Sequence, residues 1–423
     1  MELLIIAICV LLVIALLLSG APFYVAFAAF AIPFLILYAE VPGEVLGETA
    51  ANSVASFTLI ALPLFILLGG IMARTGATRD LFNLARSFFG HIRGGMGITA
   101  IVAAAGFGAM CGSGLATALA ISTIAVPELV RFGYKRSTIA AICGSAGGLG
   151  LLIPPSLAFI ILGPILEVSV GDLFMAGIVP GVLMAIFLSL ACYVTCRNNQ
   201  EIQRDRRYTW NERLKAFVKA LPAFTIPLAI LVSIYFGIAT PTESAGVACI
   251  VALLLGFFYY RSLNLQVMKE ILKDTARSTS AVWFIIMGAI VFGRVLAYEN
   301  VPQFGARFVS DFGLSYLGFI AAIMVLFFIL GMFFDAFILT LAALPPLLMA
   351  LKQYDVPLVW FGIVFQIMVI IGQITPPVGI TLYASAAGAE ADVGDTIREV
   401  IPYLIALLMA LAVLIMFPML VIY

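Results

Sequence analysis

The sequence predicts an all-α polytopic membrane protein, and three observations support this fold class. Of its 423 residues, 64% are hydrophobic and 10% are charged, whereas a soluble domain carries roughly 25% charged residues. Apolar segments long enough for a spanning helix, which needs about 20 residues, recur along the chain. The two halves of the chain also carry helix-breaking residues in the same order. The bilayer is therefore the solvent that this composition fits.

Apolar runs and the polar breaks between them predict ten spans. Two further apolar stretches, 97–127 and 314–350, each combine small residues, a charged or hydroxyl cluster and a proline. We expect both to be re-entrant helical hairpins, which enter and leave the membrane on the same side. The predicted spans are residues 3–18, 23–39, 53–73, 138–165, 173–196, 220–238, 243–260, 279–297, 358–386 and 400–422.

Basic residues set the predicted orientation in a bacterial inner membrane. With ten spans and two hairpins, Arg398 and four groups of Lys and Arg fall on one side, which the positive-inside bias makes cytoplasmic. Both termini are then periplasmic. The stretches 79–93 and 264–277 have the amphipathic pattern of helices that lie in the interface. The four basic groups lie within residues 74–93, 131–136, 197–219 and 261–277.

The chain is predicted to hold two repeats, residues 1–210 and 211–423, each with five spans and one hairpin. An odd number of crossings forces the second repeat to enter the membrane upside down. Inverted repeats are common in secondary transporters, with the site at the repeat interface. The matching segments, separated by 218 to 222 residues, are Ser19-Gly20-Ala21-Pro22 with Ala239-Thr240-Pro241-Thr242, Ala125-Val126-Pro127 with Ala343-Leu344-Pro345, Pro154-Pro155 with Pro376-Pro377, and Val179-Pro180 with Ile401-Pro402.

Four segments carry helix breakers at membrane depth. Proline removes an amide donor, glycine lets the backbone leave helical geometry, and the carbonyl groups freed in this way must be satisfied inside the protein. A small cation such as Na⁺ satisfies them, while the N-termini of half-helices favour an anionic group. A simple kink is the alternative, but the pairing of one hairpin with one broken helix per repeat favours ion or substrate sites. The segments are Cys111–Ala118, Gly147–Ser156, Gly331–Asp335 and Gly372–Gly379.

The repeat predicts two quasi-equivalent Na⁺ sites. Backbone carbonyl groups are expected to provide most ligands, with hydroxyl groups assisting where the sequence supplies them. One site uses Ser113, Gly150, Ile153 and Ser156, and the other uses Gly331, Gly372, Thr375 and Val378.

Three other residues are candidates for substrate binding or coupling. Asp335 is an acid within an apolar hairpin, where ionisable groups are costly and usually functional; capping of nearby backbone amides is the alternative. Arg294 interrupts the eighth span and is a counter-charge for an anionic substrate, or else it snorkels to the interface. Thr117 lies in the glycine-rich segment of the first hairpin. Glu243 is expected to cap a helix.

The sequence lacks the signatures of nucleotide binding and catalysis. It contains no GxxxxGK[ST] loop, HExxH, CxxC or nucleophile elbow. The equal numbers of basic and acidic residues, 22 each, argue against a nucleic-acid partner. The six cysteines lie in apolar stretches, where we expect them to pack as small apolar side chains. A membrane-embedded enzyme would need clustered acids or metal ligands, and a passive channel would not need two repeat-related ion sites.

Four motifs carry a family resemblance that covers essentially the whole chain. They are Gly-Ser-Gly-Leu-Ala-Thr-Ala in the first hairpin, Leu-Ile-Pro-Pro-Ser, Gly-Met-Phe-Phe-Asp and Gly-Gln-Ile-Thr-Pro-Pro-Val-Gly. This set resembles the large membrane subunit of tripartite ATP-independent periplasmic (TRAP) transporters. The resemblance implies a sodium-coupled importer with sodium sites at these segments and an elevator mechanism, in which hairpins and broken helices form a moving transport domain and the other spans a scaffold.

The same resemblance implies partners and a substrate class. The partners would be a periplasmic substrate-binding protein and a small four-span membrane subunit, here a separate chain. Family substrates are mostly organic anions, including C4-dicarboxylates and sialic acid.

Overall fold

The structure, a computed structural model, describes residues 15–16, 19, 21–304, 307 and 313–421. This part of the chain is helical and contains no β-strand, which confirms the predicted all-α class. The helices are α1 (Phe23–Leu37), α2 (Gly43–Val54), α3 (Ala61–Arg74), α4 (Ala77–Phe89), α5 (Gly95–Cys111), α6 (Gly114–Arg131), α7 (Arg136–Gly147), α8 (Leu149–Leu152), α9 (Leu157–Leu166), α10 (Val170–Cys196), α11 (Trp210–Tyr235), α12 (Pro241–Leu254), α13 (Leu265–Tyr298), α14 (Tyr316–Gly331), α15 (Ala336–Ile338), α16 (Leu348–Gln353), α17 (Leu358–Gln373), α18 (Ile380–Gly388) and α19 (Val393–Met416).

Most of the helices fall within the predicted spans and hairpins, but α2 covers residues 43–54, almost wholly ahead of the predicted span 53–73. Among the described residues, six helices are long and apolar enough to cross a membrane, or up to nine spans form if each of three bent pairs counts as one. One bent pair, with an angle of 47°, is α7–α8 followed by α9, where a broken span is expected. The first predicted span, 3–18, lies outside the described residues apart from 15 and 16.

The two hairpins differ in their second arms. In the first hairpin, α5 and α6 are regular helices on either side of a short tip. In the second hairpin, α14 is regular, but the returning arm consists of α15, a π-turn at Leu339–Ala343, a 3₁₀ turn at Pro345–Leu347 and α16. Pro345 and Pro346 lack amide donors, which favours the departure from α-helical geometry in this arm.

Side-chain caps set several helix starts. Thr209 before α11 and Thr240 before α12 each form a capping box with a glutamate three residues later, which satisfies amides that the helix leaves open. In the second box, the Thr240 amide donates to Glu243 Oε2 at 2.8 Å. The predicted capping role of Glu243 is thus confirmed.

Helix α13 differs from the predicted pattern. A separate interfacial helix was expected at 264–277, ahead of a span at 279–297, but one helix of 34 residues covers both. Neither glycine nor proline interrupts the chain from Leu265 to Met287, so nothing ends the first segment. At 1.5 Å per residue the helix is about 51 Å long, which exceeds the ~30 Å hydrocarbon core.

The helices pack in two groups. In one group, α13 lies against α1, α2 and α3, while α12 packs on both α3 and α11. In the other, the hairpin α5–α6 packs on α7, α7 packs on α18 and α19, α10 packs on α19, and α14 packs on α17. Helix α4 contacts both α11 and α5 and so joins the groups.

A polar joint ties α4 to the base of the first hairpin. The Arg86 guanidinium group donates to Asp205 Oδ2 at 2.5 Å and to Glu128 Oε2 at 3.0 Å, and it lies over the Phe132 ring. The Asp205 amide donates to the Gly90 carbonyl oxygen at 3.0 Å. Burial opposes ionisation of Asp205, but hydrogen bonds from Arg86, the Arg206 amide and Tyr208, together with the charge of Arg86, hold the pKa of this carboxyl below its usual value.

Arg86→Gln is expected to lower stability at neutral pH by roughly 1–3 kcal/mol, because it leaves two partly buried carboxylates without their donor. Since the folded-state pKa of Asp205 is depressed, its stabilising contribution is present above the unfolded pKa and lost as pH falls through the folded one. The difference in unfolding temperature between wild type and variant should therefore be constant near pH 7 and narrow below about pH 4. Differential scanning fluorimetry in detergent measures it.

Arg79→Gln is the matched control, since Arg79 is an exposed residue of the same helix. Equal unfolding temperatures of the two variants at pH 7 would contradict a stabilising role for the Arg86 joint.

Candidate ion and substrate site

The tip of the first hairpin is anchored to the first broken helix. Helix α5 ends at Cys111, and Gly112 takes a φ of 64°, a conformation that glycine adopts without steric cost. The Ser113 hydroxyl oxygen then accepts from the Ala116 amide at 3.4 Å and caps α6. The Gly112 carbonyl oxygen accepts a hydrogen bond from the Leu157 amide at 3.1 Å. Leu157 is the second residue after Pro154-Pro155, so the tip lies directly on the break.

The structure brings Ser113, Thr117 and Gly150 together. A Cβ atom at position 150 would lie 2.5 Å from Thr117 Oγ1 and 3.0 Å from the Ser113 carbonyl oxygen. Only glycine therefore permits this approach. The fully buried Thr117 hydroxyl also lies 3.1 Å from Cys111 Sγ.

Ile153 and Ser156 lie in the break itself, between α8 and α9. The fully buried Ser156 hydroxyl donates to the Leu151 carbonyl oxygen at 2.6 Å. The Ile153 side chain packs on Gly181 of α10, where a Cβ would lie 2.5 Å from Ile153 Cγ1. A hydroxyl group that donates its proton to a carbonyl keeps its own lone pairs for another ligand.

The second hairpin repeats this arrangement on the second broken helix. A Cβ at position 372 would lie 2.5 Å from the Gly331 carbonyl carbon, so the two glycines permit backbone contact between α14 and α17. The Met332 carbonyl oxygen accepts from the Gly379 amide at 3.0 Å. Gly379 is the second residue after Pro376-Pro377, as Leu157 is after the first pair.

Thr375 and Val378 lie in this second break. The buried Thr375 hydroxyl donates to the Ile371 carbonyl oxygen at 2.6 Å. Val378 is 41% exposed, and its side chain offers no ligand atom.

A chain of polar side chains links the second hairpin to the second broken helix. Asp335 Oδ2 accepts from the Phe337 amide at 3.4 Å, and Oδ1 accepts from Gln373 Nε2 at 2.9 Å. Gln373 Oε1 in turn accepts from the Thr381 hydroxyl at 3.3 Å. Asp335 thus caps the short α15 and also contacts the other element. Sequence reasoning did not single out Gln373 and Thr381, although a glutamine beside Thr375-Pro376-Pro377 was a usable signal.

Both hairpins contribute to one cavity of about 320 Å³. Its wall on one side is formed by α3 and α13, and on the other by the first hairpin tip, Leu157 and Phe337. Ser113 and Cys111 line it directly. The volume suits a small organic solute.

Arg294 does not line this cavity, whereas Arg74 does. Arg294 is exposed on α13, twelve residues beyond the cavity-lining Val282. Twelve helical residues span about 18 Å. The role of Arg294 as a counter-charge remains a prediction, and the cation next to the hairpin tip is Arg74.

The chain has relatives among known proteins and solved structures. It resembles the fold of the YdaH transporter of Alcanivorax borkumensis, with a TM-score of 0.66 at 13% identity and coverage of 89% of this chain and 90% of that one. The C4-dicarboxylate TRAP transporter large permease protein DctM of Pseudomonas aeruginosa is 35% identical over 86% of this chain and 84% of that protein.

Other relatives give the same family. The sialic acid TRAP transporter large permease protein SiaM of Vibrio cholerae is 31% identical over 96% of this chain and 95% of that protein. The family model described as tripartite ATP-independent periplasmic transporter, DctM component, matches residues 10–420. The chain therefore belongs to the TRAP transporter family, as its large membrane subunit.

Proposed function

We propose that this subunit is the permease of a sodium-coupled importer of organic anions that accepts its substrate from a periplasmic binding protein. The observation that carries the proposal is a repeated contact. Each hairpin tip accepts a hydrogen bond from the second amide after a Pro-Pro break, Leu157 in one half and Gly379 in the other. Two such junctions, each beside a close approach of glycine backbone, are suited to two cation sites built from backbone oxygens.

The proposed Na⁺ ligands are those of the two predicted sets. Ser113, Gly150, Ile153 and Ser156 surround the first junction, and Gly331, Gly372, Thr375 and Val378 the second. Three observations support the sets: the contact of Gly150 with Ser113, the contact of Gly372 with Gly331, and buried hydroxyl groups whose protons point to carbonyl oxygens. Hard cations prefer such oxygen ligands.

An elevator movement is proposed for the two packed groups of helices. The group formed by α1, α3, α11, α12 and α13 would be the scaffold, and the hairpins with the broken helices would move. Residues 1–210 and 211–423 are the proposed inverted repeats, each with one hairpin and one break.

The proposed orientation has four basic loops in the cytoplasm and both termini in the periplasm. It is supported by contacts between the loops, because ion pairs join residues from different basic groups. Arg86 pairs with Asp205, and Arg74 pairs with Glu270.

The proposed partners are a periplasmic substrate-binding protein and a small four-span membrane subunit encoded separately. The relative named isethionate TRAP transporter permease protein DctMQ supports the second partner, because this chain covers only 61% of it. C4-dicarboxylates and sialic acid are the proposed substrates, as named for relatives.

Uptake into proteoliposomes tests the proposal. The subunit is reconstituted with its small partner and binding protein, and labelled succinate and sialic acid are offered with an inward Na⁺ gradient. Uptake is expected to require both the gradient and the binding protein. Equal uptake after K⁺ replaces Na⁺, or uptake without the binding protein, would refute it.

Ser113→Ala and Thr375→Ala are expected to raise the half-saturating Na⁺ concentration by about fivefold each, because each removes one ligand worth roughly 1 kcal/mol. Sodium titrations of uptake measure this shift. Thr123→Ala is the control, since it removes an exposed hydroxyl group from the same hairpin. Unchanged titration curves in both site variants would overturn the ligand assignment.

A further inference from the structure

One positively charged side chain, that of Arg74 at the end of α3, lines the cavity beside the first hairpin tip. Of the described residues that line the cavity, Arg74 and Asp274 are the charged ones. Arg74 is the last residue of α3, and Asp274 lies on α13. The neighbouring polar lining on α13 consists of Thr275 and Ser278. The charge of Arg74 is therefore positioned to act on any solute that occupies the cavity.

The guanidinium group of Arg74 is held firmly on one side and loosely on the other. Its Nη1 lies 2.8 Å from Glu270 Oε2, whereas its Nη2 lies 3.5 Å from Asp274 Oδ2. Glu270 does not line the cavity and Asp274 does. The three side chains are 43%, 50% and 69% exposed for Arg74, Glu270 and Asp274 respectively, so an exchange of partners carries little desolvation cost.

We propose that Arg74 is the carboxylate-binding residue on this wall, and that a substrate carboxylate displaces Asp274 while Glu270 keeps the guanidinium group in place. Arginine suits this role because its planar donors match the geometry of a carboxylate. Thr275 and Ser278 are positioned to donate to other polar groups of the same ligand. The proposal rests on the proposed function and names its substrate class, organic carboxylates.

In the proposed orientation, Arg74 acts in the cytoplasmic step of transport. Arg74 belongs to the proposed scaffold, whereas Ser113 and Cys111 belong to the proposed moving part. A substrate held at the hairpin tip therefore meets Arg74 only in the arrangement seen here. Asp274 then competes with the substrate for Arg74 and promotes its release.

Charge-selective labelling tests the proposal without knowledge of the substrate. Ser278→Cys places a thiol in the cavity, and its modification rates by the anionic reagent MTSES and the cationic reagent MTSET are compared. The unsubstituted chain gives the background rate, which includes any reaction of Cys111, itself a cavity-lining residue, and this rate is subtracted. Arg74→Gln in this background should lower the MTSES/MTSET rate ratio by about tenfold, because the reagents differ by two charge units. Asp274→Asn should raise the ratio.

Arg277→Gln is the matched control, as it removes an exposed positive charge from α13, the helix that carries the Ser278 reporter, outside the cavity lining. Millimolar succinate should slow labelling in the Ser278→Cys chain and in the Arg277→Gln control, but not in Arg74→Gln. An unchanged rate ratio in Arg74→Gln, or equal succinate protection with and without Arg74, would overturn the proposal. If sodium-driven uptake fails while Arg74→Gln still lowers the MTSES/MTSET rate ratio, the proposed function is refuted and the anion site at Arg74 stands.

Discussion

Gly372→Ala is expected to abolish uptake while the chain still inserts into the membrane. The added methyl group would lie 2.5 Å from the Gly331 carbonyl carbon and 2.9 Å from its oxygen, and backbone cannot yield as a flexible side chain does. The two elements must separate, at a cost of about 1–3 kcal/mol or more. Separation would disrupt the proposed cation site that contains Gly331 and Gly372.

A graded series makes this result specific. Gly331→Ala should have a smaller effect, because its methyl group would meet Gly372 Cα at 3.3 Å, which small adjustments can relieve. Gly246→Ala should be neutral, since nothing lies within 4 Å of a Cβ atom at that position in α12. Uptake rate and the half-saturating Na⁺ concentration are measured for all three at equal expression. Full activity in Gly372→Ala would contradict the close approach of the second hairpin to the broken helix.

The breaks in the helices were predictable because their cause is local. A Pro-Pro pair removes two successive amide donors, so Pro154-Pro155 and Pro376-Pro377 mark breaks just after α8 and α17, whereas the single Pro180 lies inside a continuous helix. The spacing between matching breakers also predicted which hairpin belongs with which break. The Gly150 and Gly372 contacts with Ser113 and Gly331 agree with that pairing.

Contacts between distant segments were not predictable in the same way. Arg74 was expected only as one of several basic residues of a loop, and its position in the cavity depends on the packing of α3 against α13. Arg294 was singled out because its charge lies within a span, and its role remains a prediction; it lies about 18 Å along α13 from the cavity-lining Val282. A single sequence shows that a charge is costly, but it does not show which cavity the charge faces.

The ion pairs of Arg86 were likewise not predictable from the sequence. Its partners Glu128 and Asp205 come from the end of the first hairpin and from the segment between the halves. Neither carboxylate is close to Arg86 in sequence, and neither forms a motif. Ion pairs of this kind follow from the fold. Charge counting predicted only that the basic loops lie on one side of the membrane.

Asp335→Asn is expected to lower the uptake rate by about ten- to a hundredfold, the equivalent of one charge-assisted hydrogen bond. The substitution preserves the shape of the side chain and removes its charge, so it distinguishes a structural cap from a role of the charge in transport. Asp335 accepts from Gln373, and Gln373 accepts from the Thr381 hydroxyl. With asparagine at position 335, the Gln373 amide can rotate so that its oxygen accepts from the new amide group and its nitrogen donates to Thr381, whose hydroxyl serves as donor or acceptor.

The polar chain therefore survives in Asp335→Asn, and a carboxylate that only capped backbone amides would be replaced with little loss. If the negative charge serves coupling or substrate binding, Asp335→Asn folds but its uptake rate falls. Gln373→Glu in the same background then restores part of the uptake by returning a carboxylate to the chain of polar side chains. A double-mutant cycle on uptake rates measures that interaction. Asp355→Asn, at an exposed residue just after α16, should have no effect. Full activity of Asp335→Asn would reduce Asp335 to a structural cap and leave Arg74 as the charged residue beside the hairpin tip that remains to act on the substrate.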